Sequence, residues 1–529
     1  MSRIRRKKCD ATKPACTRCS STGRTCDFLT ENKIFSSQDT NFSENDQNPY
    51  TLPRSELLGA EEVGCFGQRD FSFPPPNTLP PTGPIYIAPI SISSDEVVYF
   101  DYFRIACTEE FSGFFNGQLW KKLILQASYT EPFMLNAVLA IGAIRLSQLG
   151  HCCPPEMLHY SIKQSNIASE ALSKVVAEML ENNTVDWKTA LLGSIVLLAI
   201  EVLHGNEAGA LLHFRGGSSI LKSLANEGPR MKGAIGPPNY KHSRNSNATS
   251  DEFDEVITAF TRLSIEQYPF IGLHSGGSDN APTLPSFFET LDEVRNSLNS
   301  ILSSMYAFIR QWGHQSFKIL PRHPLPKVVS ARLENLQTTF QIWKHKLNIF
   351  LFTRIKMAED HTRAKILLVH YLVAWVKIST TFFADMLVYD NFLSEFGEIV
   401  AISEDIINID NRNRAISKSP CLTLDIAMAQ PLFFVARYCR DGSLRRRAIN
   451  KMESVGSDGI YNGKTVAIIA NWIVETEEGD MAGRAVSEEM RLRDVTFDIH
   501  PDAKIVTVYA GKKNINGTLD VIHKELALH

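Results

Sequence analysis

Long apolar runs are missing from this 529-residue sequence. Its most apolar stretches, 190–200 and 366–376, are eleven residues each and are closed by Glu201 and Lys377. A membrane-crossing helix needs roughly twenty, so both stretches are expected to be buried helices. No apolar segment follows the basic start, so no secretory leader is read there. A chain with no secretory route keeps its cysteines in a reducing compartment, which disfavours disulfides and favours metal ligation or free thiols. Recognisable catalytic arrangements are missing too. There is no GxxxxGK[ST] loop, no HExxH, and no Ser/His/Asp set or carboxylate pair in motif context, so the chain does not read as an enzyme. No sustained heptads follow Cys26, which leaves a homodimer open but gives it no coiled coil. No solenoid period recurs.

What is present is uneven. Hydrophobic residues make up 44% and charged residues 21%, the balance of a soluble globular protein. The net charge is −3. Within residues 1–28, eight cations (Arg3, Arg5, Arg6, Lys7, Lys8, Lys13, Arg18 and Arg24) stand against Asp10 and Asp27. The amino terminus is therefore +6 and the remainder −9. Such a split points to an acidic partner for the amino terminus alone, with double-stranded DNA the first candidate.

The same segment holds Cys9, Cys16, Cys19 and Cys26, spaced C-x6-C-x2-C-x6-C. A C-x2-C pair lets one tight turn present two thiolates to a single ion, and Zn2+ takes tetrahedral sulfur at about 2.3 Å. The interleaved cations lower thiol pKa and offset thiolate charge. A segment this short has no hydrophobic core, so metal would supply its folding energy.

These residues resemble the fungal Zn2Cys6 binuclear cluster, whose pattern is C-x2-C-x6-C, a spacer, then C-x2-C and a last cysteine. Cys16, Cys19 and Cys26 match the second unit. Cys9 matches the last ligand of the first, and Ser2 stands where its second cysteine belongs. The run RIRRKKCD matches the basic first helix, and KPAC, with Pro14, the returning loop. By resemblance, one ion keeps Cys16, Cys19 and Cys26, and the other keeps only Cys9 and Cys16. The chain as written cannot build the two-metal cluster; at most Cys9 becomes fourth ligand to one zinc. The match breaks at Met1 while holding beyond it, which points to a first exon left out of the sequence. The rival reading is a degenerate DNA-binding module.

The resemblance implies that residues 3–8 form a short helix entering the major groove at a CGG triplet. Arg5 and Arg6 occupy its base-contacting positions; a cation there can donate to O6 and N7 of guanine. Arg3, Lys7, Lys8, Arg18 and Arg24 are assigned to phosphates. The plainer reading of RIRRKK is a nuclear-localisation patch, and the same charges serve both.

From about 29 to 95, Asn, Ser, Gln, Asp and Pro dominate, ending in FPPPNTLPPTGP. Such a stretch cannot bury enough apolar surface to fold alone and is expected to be a disordered linker. Beyond it the spacing turns helical. Helices are expected over 131–150, 156–180, 186–205, 285–313, 328–354, 361–387, 393–407, 422–439 and 466–477. A polar loop is expected at 226–250. Residues 495–509 alternate around His500-Pro501-Asp502 and are expected to form a hairpin.

The segment LLGSIVLLAIEVLHGNEAGALLHFRGGSSIL is similar to the fungal-specific transcription factor regulatory domain. There a buried helix ends in an acidic residue and the next helix carries H-x-x-G-G, here His213, Gly216 and Gly217. PLFFVARYCRDGSLRRRAI resembles that domain's carboxy-terminal part, and the likeness runs over roughly 96–500. Read individually, Gly216-Gly217 favours close helix packing over a phosphate loop. His213 favours a structural histidine over a ligand, and Cys152-Cys153 two ordinary thiols over a redox pair. RDGSLRRR favours a solvated or salt-bridged face over nucleic-acid contact.

The expected protein is thus mainly α: a truncated zinc module at 1–28, a linker at 29–95, a helical regulatory domain at 96–480, and a tail with a hairpin at 481–529. The expected function is a nuclear, zinc-dependent regulator of RNA polymerase II genes at CGG-type sites, meeting DNA and transcription machinery or co-regulators but no membrane. Control of a metabolic or secondary-metabolite cluster is what the resemblance permits. The alternative is a helical interaction protein without autonomous DNA binding.

Overall fold

The computed structural model describes residues 92–115, 118–149, 155–182, 187–226, 255–256, 258–260, 262–263, 282–313, 325–417, 422–423, 428–458, 461–479, 486–500, 503–514 and 516–528. All belong to one compact unit, Tyr86–His529. The expected zinc module, the linker up to residue 91, the polar loop beyond Asn226 and Cys152-Cys153 lie outside the described residues.

The helical part starts at α1 (Ser94–Tyr102), where Ser93 and Glu96 form a reciprocal capping box. The Ser93 hydroxyl accepts from the Glu96 amide, and the Glu96 carboxylate accepts from the Ser93 amide at 2.8 Å. Two orphan amides of the first turn are satisfied this way. A π-helical turn (Phe103–Cys107), α2 (Thr108–Ser112), a second π-helical turn (Leu119–Ile124) and α3 (Leu125–Thr130) lead to α4 (Pro132–Leu149). Proline at the first position of α4 costs nothing, because that amide would be unpaired anyway. At Gly142 an added Cβ would lie 2.1 Å from the Tyr99 carbonyl oxygen, so only glycine lets α4 touch the backbone of α1.

Then come α5 (Pro155–Asn182), α6 (Trp187–Leu203) and α7 (Glu207–Asn226). Residues 189–200 on α6 are buried without interruption. That explains the eleven-residue apolar stretch: a helix sheathed on all sides needs no polar face. No described helix is long and apolar enough to cross a membrane. The second apolar stretch lies in α10 (Ala358–Thr380), which packs with α8 (Leu291–Trp312) and α9 (Lys327–Thr353). Trp343 of α9 is fully buried there. Its indole donates to the Val294 carbonyl at 3.1 Å and its ring stacks on Tyr371 at 5.5 Å. One continuous core runs from Phe100 to Ala510.

The carboxy-terminal half adds α11 (Leu393–Ser417), β1 (Leu422–Thr423), α12 (Ala429–Tyr438), α13 (Gly442–Glu453), β2 (Ser457–Asp458), β3 (Tyr461–Asn462) and α14 (Gly463–Glu478). The strands β4 (Arg493–His500), β5 (Ile505–Lys513) and β6 (Leu519–Ala527) form an antiparallel sheet in that order. The mainly helical expectation holds, with four local corrections. The expected hairpin is the β4–β5 pair of a three-stranded meander. The expected helix over 422–439 begins only at Ala429, because Leu422–Thr423 pairs with Ser457–Asp458 as a strand. The one over 361–387 ends at Thr380 and a 3-10 turn at Met386–Phe392 follows. The one over 285–313 starts at Leu291, where the Thr290 hydroxyl accepts from the Glu293 amide.

Candidate functional site

The residues that the sequence singles out for metal and DNA (Cys9, Cys16, Cys19, Cys26, Arg3, Arg5, Arg6, Lys7, Lys8, Arg18 and Arg24) lie outside the described residues. Within the described part, Cys107 and Cys439 are buried thiols. Burial pushes both thiol pKa values up, that of Cys439 to about 11. Burial thus disfavours at both positions the thiolate on which nucleophilic chemistry depends.

The α6–α7 corner carries the H-x-x-G-G segment. Gly205 takes a positive φ of 74° to turn the chain. Asn206 then caps α7, its side-chain oxygen accepting from the Gly209 amide at 3.0 Å and its amide donating to Glu201 at 2.6 Å. The acidic residue that closes α6 is thus the clamp of the corner. Gly217 lies beneath the Phe260 ring, where an added Cβ would meet the ring at 2.1 Å, whereas Gly216 faces open space. Phe260 stacks on Phe214 at 5.8 Å. Close packing is what this glycine pair supplies, through its second member. His213 is half-buried, and burial holds its pKa below the ordinary imidazole value. At Glu207 burial raises the carboxyl to about 7, against the hydrogen bond it accepts from the Asn462 amide at 3.3 Å.

The cations of RDGSLRRR are taken up by carboxylates. Asp441 caps α13 by accepting from the Leu444 amide at 2.8 Å. Arg440 and Arg445 both donate to Glu477, at 3.1 and 2.7 Å, while Arg446 meets Glu478 at 2.5 Å and Arg447 meets Glu404 at 2.7 Å. The Leu492 amide also donates to Glu477, at 2.8 Å. Arg491 extends the network to Asp390 at 2.6 Å, and Arg493 pairs with Glu488. The basic run is a salt-bridged bracket that fixes α12, α13, α14 and the approach to β4. No spacing rule could have found its partners, which lie 32 or more residues away in sequence.

Residues 98–261, from α1 through α7 to the Phe260 contact, match the family model described as "Fungal specific transcription factor domain". Over 365 residues the chain is 23% identical to the "Aspercryptin biosynthesis cluster-specific transcription regulator atnN" of Emericella nidulans, covering 66% of this chain and 53% of that protein. Over 231 residues it is 26% identical to the "Transcription regulator lscL" of Purpureocillium lilacinum, covering 42% and 47%. The chain spans about half the length of the curated relatives it matches. No solved structure matches it.

Proposed function

We propose that this protein is a nuclear, zinc-dependent, sequence-specific DNA-binding regulator of RNA polymerase II transcription, acting on a biosynthetic gene cluster. The observation that carries this reading is the fungal specific transcription factor domain at 98–261, which follows a segment of +6 holding four cysteines in eighteen residues. The names of the two similar regulators support the same class, and that of the first supports a biosynthetic cluster as target. In this reading Cys9, Cys16, Cys19 and Cys26 hold one Zn2+, which supplies the folding energy of the basic segment. Arg5 and Arg6 then meet guanines of a CGG-type site, and the helical domain meets transcription machinery or co-regulators.

Metal analysis of the purified chain tests it. The chain as written should hold at most one tight zinc, and a chain with the missing C-x2-C restored, its second cysteine at the position of Ser2, should hold two. Two tight equivalents in the unextended chain would refute the ligand assignment. A second reading, a helical interaction protein without autonomous DNA binding, is favoured by Ser2 at a ligand position. It predicts no preference of the chain as written for CGG over scrambled probes, because a basic segment without a folded module binds DNA only nonspecifically.

A further inference from the structure

The two edges of the β4-β5-β6 sheet differ. On the β4 side the register with β5 shifts between Arg493 and Thr496, an irregularity of the kind that blunts an edge against further pairing. β6 pairs with β5 without a shift over all of Leu519–Ala527 and holds no proline. The Leu528 amide donates to the Lys504 carbonyl at 2.7 Å, and the Asn514 amide to the Thr518 carbonyl at 2.9 Å. Thr518 and Leu528 thus turn polar backbone groups toward β5. Backbone direction alternates along a strand, so the N–H and C=O groups of Leu519, Val521, His523, Glu525 and Ala527 point away from β5. Among the described residues no strand pairs with that outer edge.

The side chains leave this edge open as well. Asp520, Val521, His523, Lys524 and Glu525 are exposed, Val521 by 75%. A regular, unpaired edge is a template for another strand, and the charges of β6 select which one. Lys524 stands opposite Val508 across β5, which offers it no acid. Asp520 stands opposite Lys512 and accepts from the side-chain amide of Asn514 at 3.1 Å. Two copies of one strand pair antiparallel about a two-fold axis. Hydrogen-bonded and non-hydrogen-bonded pairs alternate along such a ladder, so the axis must pass through a residue that faces its own copy. An axis at Lys524 or Glu525 sets like charges face to face, which is unfavourable. One at Val521 sets Asp520 against Ile522, and one at His523 sets it against Leu526. Of the axes through 521–525, only that at Ile522 sets Asp520 against Lys524, and by symmetry it does so twice. Both residues fall in non-hydrogen-bonded pairs of the new ladder, where facing side chains lie closest.

We propose that β6 is a homodimer edge, at which two copies of this chain pair antiparallel about Ile522 and join their three-stranded sheets into one of six strands. The outward main-chain groups supply the attraction, and the two Asp520–Lys524 pairs fix the register. The exposed Val521 of each copy then lies beside His523 of the other. Such an edge gives a dimer contact to a chain without heptads after Cys26. It stands on the residues of β6 and does not depend on the DNA-binding reading.

Sedimentation equilibrium of the full chain over a range of concentrations tests it. The unsubstituted chain is expected to dimerise. Val521→Pro removes an amide that bonds nothing in β5, a change that an edge strand tolerates, and should give a monomer. Lys524→Asp sets carboxylates face to face, and Asp520→Lys sets ammonium groups face to face; each should weaken association about tenfold or more. An equimolar mixture of these two single variants should dimerise again, because every lysine then faces an aspartate. A monomeric unsubstituted chain would overturn the proposal, whether or not the variants fold. So would a dimer kept undiminished in Val521→Pro. Single charge variants that associate as tightly as the unsubstituted chain, or a mixture that stays monomeric, would overturn the register about Ile522.

Discussion

Arg445 donates to Glu477 at 2.7 Å, and both side chains are fully buried. The same guanidinium donates through Nε to the Ala436 carbonyl at 3.0 Å, so one side chain ties α13 to both α12 and α14. Removing Arg445 takes the shorter of two ion pairs from buried Glu477 and leaves it only Arg440 and the Leu492 amide. Arg445→Met is expected to cost up to about 3–5 kcal/mol. Arg447→Ala, at the exposed Glu404 pair, should cost less than about 1 kcal/mol. Denaturant unfolding of both variants checks this, and equal losses would mean that burial does not set the difference.

The two glycines of the H-x-x-G-G segment should separate in the same way. Gly217→Ala pushes a methyl group into the buried Phe260 ring and is expected to destabilise by about 1–3 kcal/mol. Gly216→Ala meets open space on a helix and is expected to stabilise by up to about 1 kcal/mol. Midpoints of thermal unfolding for the two single variants decide it.

Glu207 makes stability depend on pH. Its folded pKa of about 7 lies above the ordinary carboxyl value of 4.5, so between those values the native state holds a proton that the unfolded chain has lost. Stability is therefore expected to fall as pH rises from about 4.5 to about 7, by roughly 3 kcal/mol from this group. Glu201, also raised by burial, contributes with the same sign. Glu207→Gln keeps an acceptor for the Asn462 amide and removes the charge. Unfolding free energies across pH 4–8 should show a shallower fall in this variant; an unchanged slope would remove Glu207 from the account.

For DNA, a chain with a complete cluster should lose about 1–3 kcal/mol at a CGG-containing site on Arg5→Ala or Arg6→Ala, and its preference for the guanines should relax. Lys8→Ala should weaken binding to every sequence alike and reduce the salt slope by about one, because a phosphate contact carries no base identity. Gel-shift titrations on CGG and scrambled probes at two salt concentrations distinguish the two. Equal losses on both probes for Arg5→Ala and Arg6→Ala would mean that these residues do not read bases.

Helix existence was legible wherever the local pattern was long. The stretch now in α6 is too short for a membrane and too apolar for a surface helix, so burial was its one outcome. The glycine pair at 216–217 was rightly read as packing, but sequence could not say that only Gly217 makes the contact. The third strand, β6, escaped because its residues are mostly exposed on both faces and so carry little alternation; the Asn516-Gly517 turn before it, with a positive φ at Gly517 (78°) like that at Gly205, was its one local signal. Leu422–Thr423 was read as helix because two residues hold no period, and pairing with Ser457–Asp458 decided their state.

Composition and spacing alone determined that the chain is mainly helical, that its amino terminus carries a net positive charge while the remainder is acidic, and that four cysteines there have metal-ligand spacing. Those are properties of neighbours in sequence, and local physics suffices for them. Only the tertiary structure decided that the arginines of 440–447 face Glu477, Glu478 and Glu404. A charge's partner is set by which helix packs against which, and that distance is not written along the chain.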